Sequence, residues 1–188
     1  MNKEGKIIIL VSPSGGGKST MTRRLLRDIE TLKFSVSATT RKPREEEVHG
    51  REYYFLGQDE FREKISRGEF LEWEEFYNGT LYGTLRSAVE NDLKKGYFVL
   101  LDIDVLGALN VKKLYGDQVF AVFLAPPSLE ILKERLELRG TETYETLNTR
   151  LERASAEMSY ADRFDAVVVN DDLETAYNEL LELVQNYH

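Results

Sequence analysis

Along this chain, unbroken apolar runs alternate with stretches whose apolar residues recur every three or four positions. The runs are IIILV (7–11), FVLL within YFVLLDID (97–104), VFAVFLA within 118–128, and AVVV within 166–171. Each is short, rich in β-branched or aromatic residues and bounded by polar or turn residues, as in a strand buried on both faces. FSVSA (34–38) alternates instead, and reads as a short strand. Helical spacing runs through residues 21–31 by way of Leu25, Leu26 and Ile29, then through 58–67, ended by Gly68, and 85–95, stopped by Gly96. Two more helical patterns, 129–138 and 144–160, precede the last apolar run, and 173–187 turns Leu180, Leu181 and Val184 inward. FLEWEEFYNGTLYG reads as a hairpin that turns at Asn78-Gly79. Strands at 6–12, 34–38, 97–102, 118–124 and 165–170, alternating with helices, predict an α/β fold of three layers around a central parallel sheet. The pattern does not give the strand order.

Composition adds limits. A chain of 188 residues with 41% hydrophobic and 31% charged residues suits one soluble domain with small inserted subdomains. No apolar run approaches the roughly 20 residues that span a bilayer, and MNKEGKIII does not read as a secretion signal. The absence of cysteine excludes disulfides, thiolate catalysis and cysteine-ligated metal, and together these features point to the cytoplasm. A formal net charge of -8 argues against nucleic acid as a partner, but not against a single nucleotide held by a few placed cations.

The candidate chemistry begins where the first apolar run ends. KIIILVSPSGGGKST (6–20) is strand, glycine-rich turn and helix start in succession, the context of a phosphate-binding loop. Ser14, Gly15, Gly16, Gly17, Lys18, Ser19 and Thr20 would cradle the phosphates of a nucleotide, with several N–H groups pointing into one concavity at a helix N-terminus. Lys18 would reach the β- and γ-phosphates and the Ser19 hydroxyl would ligate Mg²⁺. Ser12 stands where the usual spacing has its first glycine. Asp102, ending the apolar run at 97–102, is the matching candidate for supporting Mg²⁺. An ordinary glycine-rich βα turn is the alternative that this context disfavours.

Thr39 to Phe55 reads T-T-R-x-x-R-x-x-E-x-x-G-x-x-Y-x-F and resembles the guanylate kinase signature. The resemblance continues in order through Glu72-Trp73, LYGT (81–84), LDID (101–104), RGTET (139–143) and VNDD (169–172), with Glu46 where a glycine is common. It implies the strand order of phosphate-loop kinases and a division into core (1–34, 85–125 and 161–188), GMP-binding lobe (35–84) and lid (126–160). It also implies that Arg41, Arg44, Tyr53 and Tyr82 hold the phosphate of GMP, with Glu47 and Gly83 beside them. Ser37, Glu72, Thr84 and Asp104 then form the guanine site. Glu72 has a chemical reason as well: a carboxylate matches the two donors, N1–H and N2, on one edge of guanine, and adenine lacks that pair. For Asp104, capping of the following helix is the plainer alternative.

By the same resemblance, Arg139 and Arg150 are lid arginines at the transferring phosphoryl group, with Arg44 near the line of transfer, and Lys18 completes the catalytic set. Arg135 is a weaker carry-over to ATP, Arg153 is left out, and Asn170 and Asp171 would flank the adenine. The expected reaction is ATP-dependent phosphorylation of GMP, and of dGMP, in purine metabolism, with Mg²⁺ accompanying ATP. Two other readings stay open: a non-catalytic interaction module of the same fold, and a kinase of another phosphorylated acceptor such as a sugar phosphate.

Overall fold

The computed structural model describes residues 5–76, 78–138 and 144–187. The chain opens with β1 (Ile7–Val11), all five residues buried, then α1 (Lys18–Asp28), β2 (Leu32–Phe34), β3 (Ala38–Thr39), β4 (Tyr54–Phe55) and α2 (Gln58–Ser66). It continues through β5 (Phe70–Glu75), β6 (Leu81–Leu85), α3 (Arg86–Lys94), β7 (Phe98–Leu101), α4 (Val105–Tyr115) and β8 (Val119–Ala125). Helices α5 (Leu129–Leu138) and α6 (Tyr144–Met158), strand β9 (Ala166–Val169) and helix α7 (Leu173–Tyr187) complete it.

Among the described residues, five strands form the main sheet in the order β2-β7-β1-β8-β9, every pairing parallel. The strands alternate their side chains between two apolar layers. Ile7, Ile9 and Val11 face a layer with Val89 of α3 and Ala108 of α4, whereas Ile8 and Leu10 face Met21 of α1 and Leu180 of α7. Because β1 lies in the middle, with β7 and β8 on either side, the loop after it opens at the carboxyl edge between two strands, where open α/β sheets bind ligands.

A second sheet, β4-β3-β6-β5, stands apart from the first and carries its own small core of Ala38, Phe61, Phe70 and Leu81, with Phe61 and Phe70 stacked 4.3 Å apart. The alternating segment 34–38 is therefore not one strand. Phe34 ends β2, the Ser35 N–H makes a last bond to the Leu100 carbonyl of the main sheet, and the Ser37 carbonyl already accepts from Tyr54 N–H in the second sheet. The two-residue periodicity is real, but the chain changes sheets in its middle. Helix α1 also differs, starting at Lys18 rather than Met21 because Gly17, at φ 97°, is its N-cap, and giving way to extended backbone at Ile29. The predicted turn at Asn78-Gly79 joins β5 to β6, with Gly79 at φ 75°. Helices α5 and α6 pack through Leu132, Leu136, Leu147 and Ala154, and Leu132 and Leu136 come down beside Gly15 of the glycine-rich loop.

Candidate active site

A cavity of about 960 Å³ lies between the carboxyl edge of the main sheet, the second sheet and helix α6. Its floor is the glycine-rich loop. Gly15 and Gly17 both take positive φ, 95° and 97°, which turns successive N–H groups inward and sets Lys18 at the first position of α1. No other type of residue has positive φ among the described residues, so neither Ser12 nor Glu46 sits where the backbone demands glycine. The buried Asn170 pins the loop from behind: its Nδ2 donates to the Gly16 carbonyl at 2.8 Å. Lys18 forms an ion pair with Asp102, the residue after β7, and Ser19 and Asp102 both line the cavity. Arg150 of α6 crosses over the loop and donates to the Ser14 hydroxyl at 3.3 Å.

The opposite wall comes from the second sheet. Register pairs Glu72 on β5 with Thr84 on β6, and the Thr84 hydroxyl donates to Glu72 Oε1 at 2.6 Å. Burial pushes the Glu72 carboxyl up to about 7; the Thr84 bond opposes that rise and the nearby Asp104 adds to it. Asp104 is the N-cap of α4, where its Oδ1 accepts from Gly107 N–H at 2.6 Å, and its side also faces the cavity. The capping alternative and a place in the site thus hold together. Tyr53 and Tyr82 meet edge to face, 6.0 Å between centroids, and both line the cavity with Ser37 and Gly83. Burial raises the Tyr53 hydroxyl above its ordinary value, keeping it a neutral donor.

The arginines of the 41–47 loop are arranged differently from a waiting phosphate clamp. Arg41 lies 5.3 Å from the Tyr53 ring but forks onto Glu47, Nη1 to Oε2 and Nη2 to Oε1, both 2.8 Å. Glu47 also accepts from Arg44 N–H at 2.8 Å, and the Arg41 bonds followed by that backbone bond hold its carboxyl down to about 2. The same pairing, against some desolvation, raises Arg41 further above its ordinary range. Glu47 therefore orders the loop. Arg41, Arg44, Glu47, Thr84, Gly16, Arg135, Asn170 and Asp171 are not among the residues that line the cavity. Arg135 donates to the Asp171 carbonyl at 3.3 Å, and Arg139 lies outside the described residues.

Sequence reasoning missed Glu74, Phe76, Arg153 and Glu157, all of which line the cavity. Two signals were available: Glu74 follows Glu72 by two on a strand, hence on the same face, and Arg153 follows Arg150 by three on a helix. Glu74 is pushed up to about 7, first by burial and then by its contact with Asp104, which together outweigh its Arg153 partner.

This arrangement can bind one phosphate chain over the loop, at Lys18, Ser19 and Arg150, and present a second ligand's ring to the acids of the facing wall. The guanylate kinase family model matches residues 4–187. Guanylate kinases of Salinibacter ruber, Porphyromonas gingivalis and Bacteroides fragilis are 51%, 49% and 47% identical to it, over 96%, 97% and 98% of this chain and 96%, 97% and 90% of theirs. The crystal structure of guanylate kinase from Anaplasma phagocytophilum superposes with a TM-score of 0.76 at 33% identity, covering 98% of this chain and 86% of that one. With motif, topology and cavity agreeing over nearly its whole length, the chain belongs to the guanylate kinase family.

Proposed function

We infer that the protein phosphorylates GMP with ATP, giving GDP and ADP, and that the two substrates meet in the cavity between the glycine-rich loop and the second sheet. The observation that carries the reading is the half-buried Glu72, bonded to the buried Thr84, facing Lys18 across one cavity. A phosphate grip and a purine-edge reader are thereby brought to a common space.

Guanine lies with N1–H and N2 donating to the Glu72 oxygens, Asp104 and Ser37 beside it, and its phosphate toward Tyr53, Tyr82, Arg41 and Arg44. ATP runs its phosphates along Gly15 to Thr20, with Arg135, Asn170 and Asp171 toward its adenine. An oxygen of the GMP phosphate, ionised near neutral pH, attacks the γ-phosphorus. That P–O bond forms as the bond to the β-phosphate oxygen breaks, and ADP leaves with the electron pair. No side-chain base is needed, so the protein contributes positioning and charge. Lys18 and Arg150 neutralise the transferred group from the ATP side, with Arg139 from the segment joining α5 to α6, and Arg44 approaches from the acceptor side. The Ser19 hydroxyl and Asp102 carboxylate are hard oxygen donors at the phosphate end and suit a cation that keeps water and phosphate in its shell. Mg²⁺ bound there would supply charge neutralisation of the β- and γ-phosphates. A 2′-deoxy acceptor keeps the guanine edge and the phosphate, so dGMP is a substrate on the same reading.

Mg·ATP turnover with GMP, dGMP, AMP, CMP, UMP or dTMP as acceptor tests the assignment, repeated with Glu72→Ala. GMP turnover far above that of AMP and the pyrimidine nucleotides, relaxed or lost in the variant, supports both the reaction and the reader. GMP binding without turnover would move the protein to the interaction-module reading, and preference for a non-guanine acceptor would remove Glu72 from its role.

A further inference from the structure

One contact crosses the cavity from wall to wall and has no part in the chemistry above. Arg153, in the middle of α6, reaches β5 and places Nη2 at 3.2 Å and 3.4 Å from the two oxygens of Glu74. Its Nε is turned back to Glu157, one helical turn on, at 2.9 Å, and its guanidinium lies 5.6 Å from the Phe76 ring. The arginine is thus fixed on its own helix by Glu157 and offers its free edge to the other wall. All four residues line the cavity. Glu74 in turn faces Asp104 at the start of α4, so the arginine meets a carboxylate that already has an acidic neighbour. Arg153 and Glu74 side chains are 37% and 34% exposed, partly withdrawn from water, where an ion pair is screened less than on an open surface.

We propose that Arg153 and Glu74 form a latch that joins the lid to the acceptor lobe, so that the ATP and GMP sites close as one unit. The latch rests on reading 126–160 as lid and 35–84 as acceptor lobe. Helix α6 carries Arg150 over the phosphate loop, and β5 carries Glu72 at the purine end. A link between them means that whichever substrate draws in its own wall also draws in the other. By linkage, each substrate then tightens binding of the second by the same factor. Both are positioning residues: they act through the placement of Arg150 and Glu72, and touch neither reacting phosphate.

The test is a double-mutant cycle on that factor. Affinity for a non-hydrolysable ATP analogue with Mg²⁺ is measured by calorimetry with and without saturating GMP, in wild type, Glu74→Gln, Arg153→Gln and the double variant. Arg153→Lys serves as a conservative control that keeps the charge. The latch predicts that GMP tightens the analogue about fivefold or more in wild type. Each Gln variant loses most of that factor, the double variant loses no more than either single, and Arg153→Lys keeps part of it. Losses that multiply in the double variant would mean two independent substrate contacts and overturn the latch. So would an unchanged factor in the single variants, or no coupling in wild type. Failure of wild type to bind GMP at all would instead overturn the proposed function.

Discussion

At the scale of single residues, the site combines a carboxylate held out of water with a lysine held by an acid. Burial and Asp104 raise Glu72 to about 7, with the Thr84 bond opposing, and Glu74 stands two residues on in the same strand, met by Arg153 from the facing helix. An acid raised in the folded state binds its proton more tightly there than in the unfolded chain. Its folded form is therefore favoured below about 4.5, and that advantage drains as pH rises to about 7. Glu72→Gln should then raise stability at pH 8 by about 1–3 kcal/mol while leaving it nearly unchanged at pH 4, as read by chemical denaturation at both pH values. Binding runs the opposite way, since guanine needs the ionised form: kcat/KM for GMP should climb through about pH 7 in wild type. The climb in Glu72→Gln should be confined to ionisation of the GMP phosphate. On the proposed mechanism Lys18 and Arg44 act on charge in transfer, so Lys18→Ala or Arg44→Ala should lower kcat by at least about a hundredfold. Near-wild-type turnover in either variant would take that residue out of the mechanism.

At the scale of elements, geometry at one helix start sets the purine reader. Helix α4 begins at Asp104 and runs against β5, and a Cβ on Gly107 would stand 3.1 Å from Glu72 Oε2, 3.2 Å from its Cγ and 3.3 Å from Asp104 Oδ1. Gly107→Ala leaves helical backbone intact but forces the carboxylate to shift, and a small displacement of a positioning group is costly to a reaction built on placement. We predict a rise in KM for GMP of about tenfold with little change in KM for ATP, measured by steady-state kinetics. Equal effects on both substrates would indicate a general loss of packing instead. The buried runs at β1, β7 and β8 were legible in the sequence because an all-apolar strand between two helical layers has one reading. Strand β9, expected to be buried in the same way, is the edge of the sheet and leaves Val167 39% and Val169 50% exposed. The segment 34–38 was not legible, because alternation reports one buried face and cannot say which sheet provides it. Helix α4, VLGALNVKKLY, escaped a boundary from periodicity because apolar residues fall on its exposed side too, at Leu106 and Leu114, as well as on the side that buries Val105, Ala108 and Val111. The phosphate loop, Glu72 and the tyrosines were placed by motif. Arg153 and Glu74 were lost because each has an ordinary surface explanation, and only the fold brings α6 over β5.

At the scale of the whole molecule, a chain of net charge -8 has to admit two polyanions into one cavity. The described lining does not reverse that sign: Lys18, Arg150 and Arg153 are outnumbered by Glu72, Glu74, Asp102, Asp104 and Glu157. On the proposed function the acids divide by role. Glu72, Glu74 and Asp104 cluster at the purine end, where a neutral base donates hydrogen bonds, whereas Asp102 stands at the phosphate end and occupies Lys18. On the proposed mechanism an incoming ATP draws Lys18 away from that carboxylate, which is easier when a divalent cation takes the place of Lys18 as the carboxylate's partner. GMP meets a different competition, that of Glu47 for Arg41, which lies in the 41–47 loop and which a cation at Asp102 does not relieve. Removal of Mg²⁺ with a chelator should therefore weaken ATP-analogue binding by about tenfold or more, while GMP binding to the free enzyme changes by less than about threefold. Calorimetric titrations of each ligand alone, with and without the chelator, read both numbers. Asp102→Asn adds the discriminating arm: without the competing charge, ATP-analogue binding in chelator should recover toward its Mg²⁺-containing value. Equal losses for both nucleotides, or no recovery in the variant, would mean that the Lys18–Asp102 pair does not set the cation dependence of the site.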